Sequence, residues 1–100
     1  MINRAEKQGI GNVANEIFMN NILFFGQLKE RLNCANTTLA LSYPSSVAQV
    51  KTQLQQRGVL WQQLFEQGNV LSAVNQTIAN DDTEVNAGDE LAFFPPVTGG

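Results

Sequence analysis

Few side chains in this sequence are equipped for chemistry, and their spacing helps them little. There is no His and one Cys in 100 residues. Without His there is no imidazole for general acid–base work, for a hydrolytic triad or for most catalytic zinc sites. The lone Cys34 supports neither an internal disulfide nor a CxxC redox or zinc motif. It falls between two strand candidates and reads as an ordinary thiol of a reducing compartment, the cytoplasm. Asp81-Asp82 are adjacent carboxylates in a turn with no third ligand, a weak start for a metal site. Ser45-Ser46 has no base to activate a hydroxyl and reads as a helix cap. Gly9-Ile10-Gly11 lacks the preceding strand and the third Gly of a nucleotide loop. No metal and no stably bound cofactor is expected.

Charge narrows the partners. The net charge is −3, and the six Lys and Arg residues are scattered, so nucleic acid is not expected. No Lys or Arg follows Arg57, whereas Glu66, Asp81, Asp82, Glu84, Asp89 and Glu90 do. That acidic stretch reads as a solvated turn or as a surface steered toward a basic partner. No apolar run approaches the ~18 residues of a membrane-spanning helix, and the N-terminus lacks the apolar segment of a secretory signal.

These residues must be positioned by a small set of elements. Residues 1–18 are polar, without sustained period, and read as an upstream extension or added leader outside the fold. Met19-Asn20-Asn21 then opens an apolar run like a second start. Ile22–Gln27 is bulky and aromatic, which favours a strand. Leu28–Leu32 fits one helical turn, and Thr37–Leu41 a second strand. Val47, Val50 and Leu54 recur at i, i+3 and i+7, making one apolar helix stripe after the Ser45/Ser46 cap, with Gly58 as its stop. Leu60, Trp61, Leu64 and Phe65 make a second short amphipathic turn closed by Gly68, with Trp61 facing the core. Val70–Ile78 reads as one strand and Glu90–Phe94 as the last, ended by Pro95-Pro96. One main helix beside a small sheet is an α+β layout.

The chain closes with Leu91-Ala92-Phe93-Phe94-Pro95-Pro96-Val97-Thr98-Gly99-Gly100. This run is similar, nearly letter for letter, to the end of the small subunits of molybdopterin synthase, the MoaD family. Ile22–Glu30 resembles that family's first strand, and Ala73–Thr77 a strand of its second half. Gly88-Asp89-Glu90 leads into the last strand as the family's does. The resemblance covers about residues 20–100 in matching order.

The resemblance implies a ubiquitin-like β-grasp fold, a mixed sheet packed on one main helix. The domain would run over 19–94, with 95–100 as an extended tail. It also implies a sulfur carrier of molybdenum cofactor biosynthesis, not a catalyst on its own. A separate E1-like activating enzyme would use ATP to adenylate the Gly100 carboxylate, which then becomes a thiocarboxylate. The tail would enter the large synthase subunit, in a heterotetramer of two small and two large chains. There it would give sulfur to cyclic pyranopterin monophosphate.

Physical chemistry suits such a tail to this work. A carboxylate is a poor electrophile until a good leaving group is attached. Pro95-Pro96 restrict the chain to extended states. Six residues from Pro95 span up to ~20 Å at ~3.3 Å each. Gly99 and Gly100 carry no side chain to block a narrow channel.

Neighbours on a strand point to opposite faces, so one residue of Phe24-Phe25 and one of Phe93-Phe94 faces out. By position in the family, Phe25, Ile78 and Phe94 would form an apolar partner patch with Lys29 at its rim. Pro95, Pro96, Val97 and Thr98 would follow the partner's channel. Lys29 stands where the family often has Arg, and Lys makes a weaker carboxylate contact. Carriers of thiamine (thiazole) synthesis and ubiquitin-like modifiers also end in Gly-Gly, but lack the Phe-Phe-Pro-Pro-Val run in this form. A plain interaction module is the remaining alternative.

Overall fold

A computed structural model describes residues 19–42, 44–67 and 69–96. Residues 1–18, the expected leader, and the tail residues Val97, Thr98, Gly99 and Gly100 lie outside the described residues.

The first strand, β1 (Met19–Phe24), buries every second residue: Asn20, Ile22 and Phe24 point inward. Phe25 continues the extended backbone, and the chain then turns into α1 (Gly26–Leu32), where Leu28 and Leu32 pack inward at i, i+4 spacing. Asn33 ends α1 in the left-handed region at φ 53°, a conformation Asn tolerates better than most residues. Strand β2 (Asn36–Ala40) returns antiparallel to β1.

Ser45-Ser46 does two things. It forms the short strand β3 (Ser45–Ser46), paired with β6 (Glu84–Val85). Ser46 also caps α2 (Val47–Gln55): its Oγ accepts from the Gln49 N–H, and the Gln49 side chain accepts from the Ser46 N–H. Val47, Val50 and Leu54 are fully buried, as their spacing predicts. The turn before β6 covers the helix start, since the Thr83 and Asp81 carbonyls accept from the Val47 and Ala48 N–H groups. The expected acidic turn is thus a docked part of the fold.

The second amphipathic segment is longer than a turn. It forms α3 (Val59–Gln67), nine residues with Phe65 buried and Trp61 and Leu64 half-buried. Trp61 meets Phe24 edge-on at 5.5 Å, and Phe65 meets Phe93 edge-on at 5.3 Å.

Val70–Ile78 is not one strand. It is a hairpin of β4 (Leu71–Val74) and β5 (Thr77–Ala79), turning at Asn75 and Gln76 with φ 51° and 69°. Two consecutive positive φ values are the backbone of a two-residue hairpin turn matched to strand twist. Asn75 is held there at the start of β7 (Glu90–Phe94): its Nδ2 donates to Oδ1 of Asp89, just before the strand, and its Oδ1 accepts from the Glu90 N–H.

The main sheet has the order β2-β1-β7-β4-β5. β1 and β7 run parallel and the other pairs antiparallel, so the sheet is mixed. The helices cover one face, and Ile22, Phe24, Leu91 and Phe93 meet Val47, Val50, Leu54 and Phe65 between the layers. This is the β-grasp architecture, with a helical layer of three segments among the described residues. Because β7 is the central strand, the chain leaves the domain from the middle of the sheet.

Candidate functional site

The sheet's second face follows from register. Phe93 pairs with Phe24 and Ser72 inside the fold, so Phe94 must face out. Phe93 is fully buried, whereas Phe25 is 48% exposed and Phe94 half-buried. The Phe25 N–H donates to the Phe93 carbonyl at 3.1 Å, which extends the parallel ladder and sets Phe25 beside Phe94. Antiparallel pairing puts Leu71, 41% exposed, on the other side of Phe94. A second row crosses the sheet through the paired residues Leu23, Ala92, Ala73 and Ile78. Ile78, on the edge strand, is 73% exposed.

Phe25, Phe94 and Ile78 therefore share one face. Ile78 sits two strands and one pleat repeat from Phe94, about 12 Å by sheet spacing. Leu71 lies between them and was not singled out in the sequence. Its outward aim depends on pairing with Phe94, and the reading of 70–78 as one strand hid that pairing. Ala73 and Ala92 keep the middle of the face low, with the bulkier side chains around them.

Lys29 stands one helical turn beyond Phe25, its N–H donating to the Phe25 carbonyl at 3.3 Å. It is exposed and forms no ion pair among the described residues. Pro95 leaves β7 against Gly26, whose φ is +60°. A Cβ at Gly26 would stand 3.2 Å from Pro95 Cγ, so the small residue lets the departing chain pass close to the start of α1. Pro96 is exposed and lines, with Pro95, a cleft of about 140 Å³ toward α1 and α3.

The other residues weighed for chemistry have structural surroundings. Cys34 Sγ lies 3.3 Å from the Asn36 carbonyl. Asp81 pairs with Lys51 at 2.8 Å. No group of three His, Cys, Asp or Glu side chains is placed to hold a metal among the described residues. No helix among them is long and apolar enough to cross a membrane.

The open apolar sheet face thus lies beside the root of the Pro-Pro tail, and comparison with known proteins gives the chain a family. A family model described as the ThiS family matches residues 22–100. The chain belongs to this family. The molybdopterin synthase sulfur carrier subunit of Haemophilus influenzae is 42% identical over 82 residues, covering 82% of this chain and all of that protein. Small archaeal modifier protein 1 of H. volcanii superposes with a TM-score of 0.70 at 21% identity, over 80% of this chain and 99% of that one. That likeness speaks for the ubiquitin-like fold alone. A complex of subunits 1 and 2 of the molybdopterin-converting factor from Helicobacter pylori contains a chain that matches with a TM-score of 0.57 and 26% identity. The match covers 82% of this chain and 99% of that chain.

Proposed function

We propose that this ThiS-family chain is the sulfur carrier subunit of a molybdopterin synthase. The observation that carries the reading is the full-length match to a relative named as that subunit. The two-subunit complex of the Helicobacter pylori relative supports a large subunit as the partner. The open face of Phe25, Phe94, Leu71 and Ile78 is a surface suited to it.

In this reading an oxygen of the Gly100 carboxylate attacks the α-phosphate of ATP on a separate activating enzyme. Pyrophosphate leaves and an acyl adenylate forms. A sulfur nucleophile then attacks the carbonyl carbon and AMP departs: sulfide gives the thiocarboxylate directly, whereas a persulfide gives an acyl disulfide whose sulfur–sulfur bond a thiol cleaves, releasing the thiocarboxylate as that thiol and the donor's sulfur are oxidised to a disulfide. The large subunit receives the tail, and the sulfur passes to cyclic pyranopterin monophosphate. The chain's own residues bind and orient: Phe25, Phe94 and Ile78 hold the partner, Lys29 meets an acidic group at the rim, and Pro95 to Gly99 deliver the terminus. The proton transfers belong to the partner proteins. The cycle fits a reducing cytoplasm, where a thiocarboxylate is kept from oxidation.

Intact-mass measurement tests this. After incubation with the activating enzyme, ATP and a sulfur donor, the chain gains the mass of one oxygen-to-sulfur exchange, and fragmentation places it on Gly100. An unchanged mass, or pterin sulfuration that survives deletion of Gly99 and Gly100, refutes the reading. Recovery of a thiazole synthase, in place of a synthase large subunit, would assign the carrier to the other pathway.

A further inference from the structure

Four cations stand among the described residues: Lys29, Arg31, Lys51 and Arg57. Two are engaged. Lys51 pairs with Asp81, and Arg57 donates to Thr37 Oγ1 at 2.8 Å and to the Thr38 carbonyl at 3.1 Å while lying 5.4 Å from the Trp61 ring centre. Arg31 has no ion-pair or hydrogen-bond partner among the described residues and is exposed in the last turn of α1. It is two residues from Lys29, so the two side chains leave the helix on different sides.

Arg31 opens onto the cleft between α1 and α3. Leu28, Leu64 and Val70 form its apolar floor, and Pro95 and Pro96 one wall. The same Pro95 follows Phe94 directly and packs against Gly26, the residue after Phe25. A protein that grips the root of the tail therefore meets the sheet face and this cleft together.

We infer that the α1–α3 cleft is a second docking subsite for the large synthase subunit, taking an apolar side chain over Leu64 and Val70 and a carboxylate on Arg31. The choice of occupant rests on charge and continuity. From Gly58 onward the chain carries only acidic charges, so a partner matched to that surface is basic overall. Arg31 is the place beside the tail root where an acidic group finds an unengaged guanidinium, which binds a carboxylate through two parallel hydrogen bonds. This local reversal of sign sets the orientation of the partner about the tail, which an apolar patch alone leaves loose.

The inference rests on the proposed function, and the test separates the two. Binding of the full-length chain to the large subunit, and separately to the activating enzyme, is measured by titration calorimetry for the wild type, R31E and N69W. Asn69 is an exposed lining residue, and a Trp there is placed to cover the cleft's apolar lining of Leu28, Leu64 and Val70. Both variants are expected to weaken binding to the large subunit by roughly tenfold, while thermal melting stays near that of the wild type. Unchanged affinity in both variants overturns the subsite and leaves the proposed function standing. Tighter binding by N69W overturns it too, because the cleft would then hold the chain's own tail in competition with the partner. Weakening confined to the activating enzyme overturns the choice of partner. A wild-type chain that does not bind the large subunit overturns the proposed function and the subsite together.

Discussion

Ile78→Ala separates folding from recognition more cleanly than any other change on the sheet face. Ile78 is 73% exposed and pairs across the β4–β5 hairpin with Ala73. The substitution removes three carbons, each contributing about 0.8 kcal/mol when fully buried. Scaled by the exposed share, about 1.8 kcal/mol of burial is available to a partner, or roughly 20-fold in Kd. The share already covered, together with the lower strand preference of Ala, costs the fold about 1 kcal/mol. Phe93→Ala is the contrast: Phe93 is fully buried among Phe24 and Phe65, and its loss costs about 3–5 kcal/mol of stability. Guanidinium denaturation measures the stability costs, and titration with the large synthase subunit measures the loss of affinity. An I78A chain that binds the large subunit with wild-type affinity refutes the placement of the interface on this face. One that loses more than about 3 kcal/mol of stability refutes the burial on which the argument rests.

Two further outcomes follow from the backbone. Gln76 holds φ 69° without being Gly, so Gln76→Gly is expected to stabilise the β4–β5 hairpin by about 1 kcal/mol, seen as a higher denaturation midpoint. Gly26→Ala is expected to destabilise by about 1–2 kcal/mol from φ +60° alone. It also presses on Pro95, so thiocarboxylate formation at the tail should slow more than Gln76→Gly slows it; equal rates would show that the tail root tolerates the shift.

Much of the fold was legible because local rules and global packing agree. The Ser46 cap, the Val47–Val50–Leu54 stripe and the last strand at Glu90 each depend on near neighbours, and each stands where the sequence pattern puts it. The strand read at Ile22–Gln27 lies three residues earlier, at Met19–Phe24, because Asn20 also turns inward with Ile22 and Phe24, and Gly26 and Gln27 belong to α1. The failures have physical causes. Val70–Ile78 looks like one strand because its turn carries Asn-Gln, without the Gly that usually marks positive φ. What holds Asn75 there is Asp89 and Glu90, fifteen residues away or nearly so. The β3–β6 pair has two residues on each side, too short to leave a pattern, and exists because the 81–83 turn docks on α2. α3 extends past the expected turn because Trp61 packs on Phe24, Phe65 on Phe24 and Phe93, and Leu64 on the core they belong to, which outweighs its Gln-rich surface.

The candidate site divides in the same way. Alternation alone says that one of Phe24 and Phe25, and one of Phe93 and Phe94, faces out, because the strand period is two. The closing Phe-Phe-Pro-Pro-Val-Thr-Gly-Gly run carries the resemblance, and it is legible because its residues are contiguous in the sequence. Which Phe of each pair is exposed, and that Leu71 joins them, was decided only by tertiary structure. Both depend on register between strands far apart in sequence, nearly seventy residues in the case of β1 with β7 and about twenty in the case of β4 with β7. Register is a property of paired strands, and one chain segment read alone does not contain it.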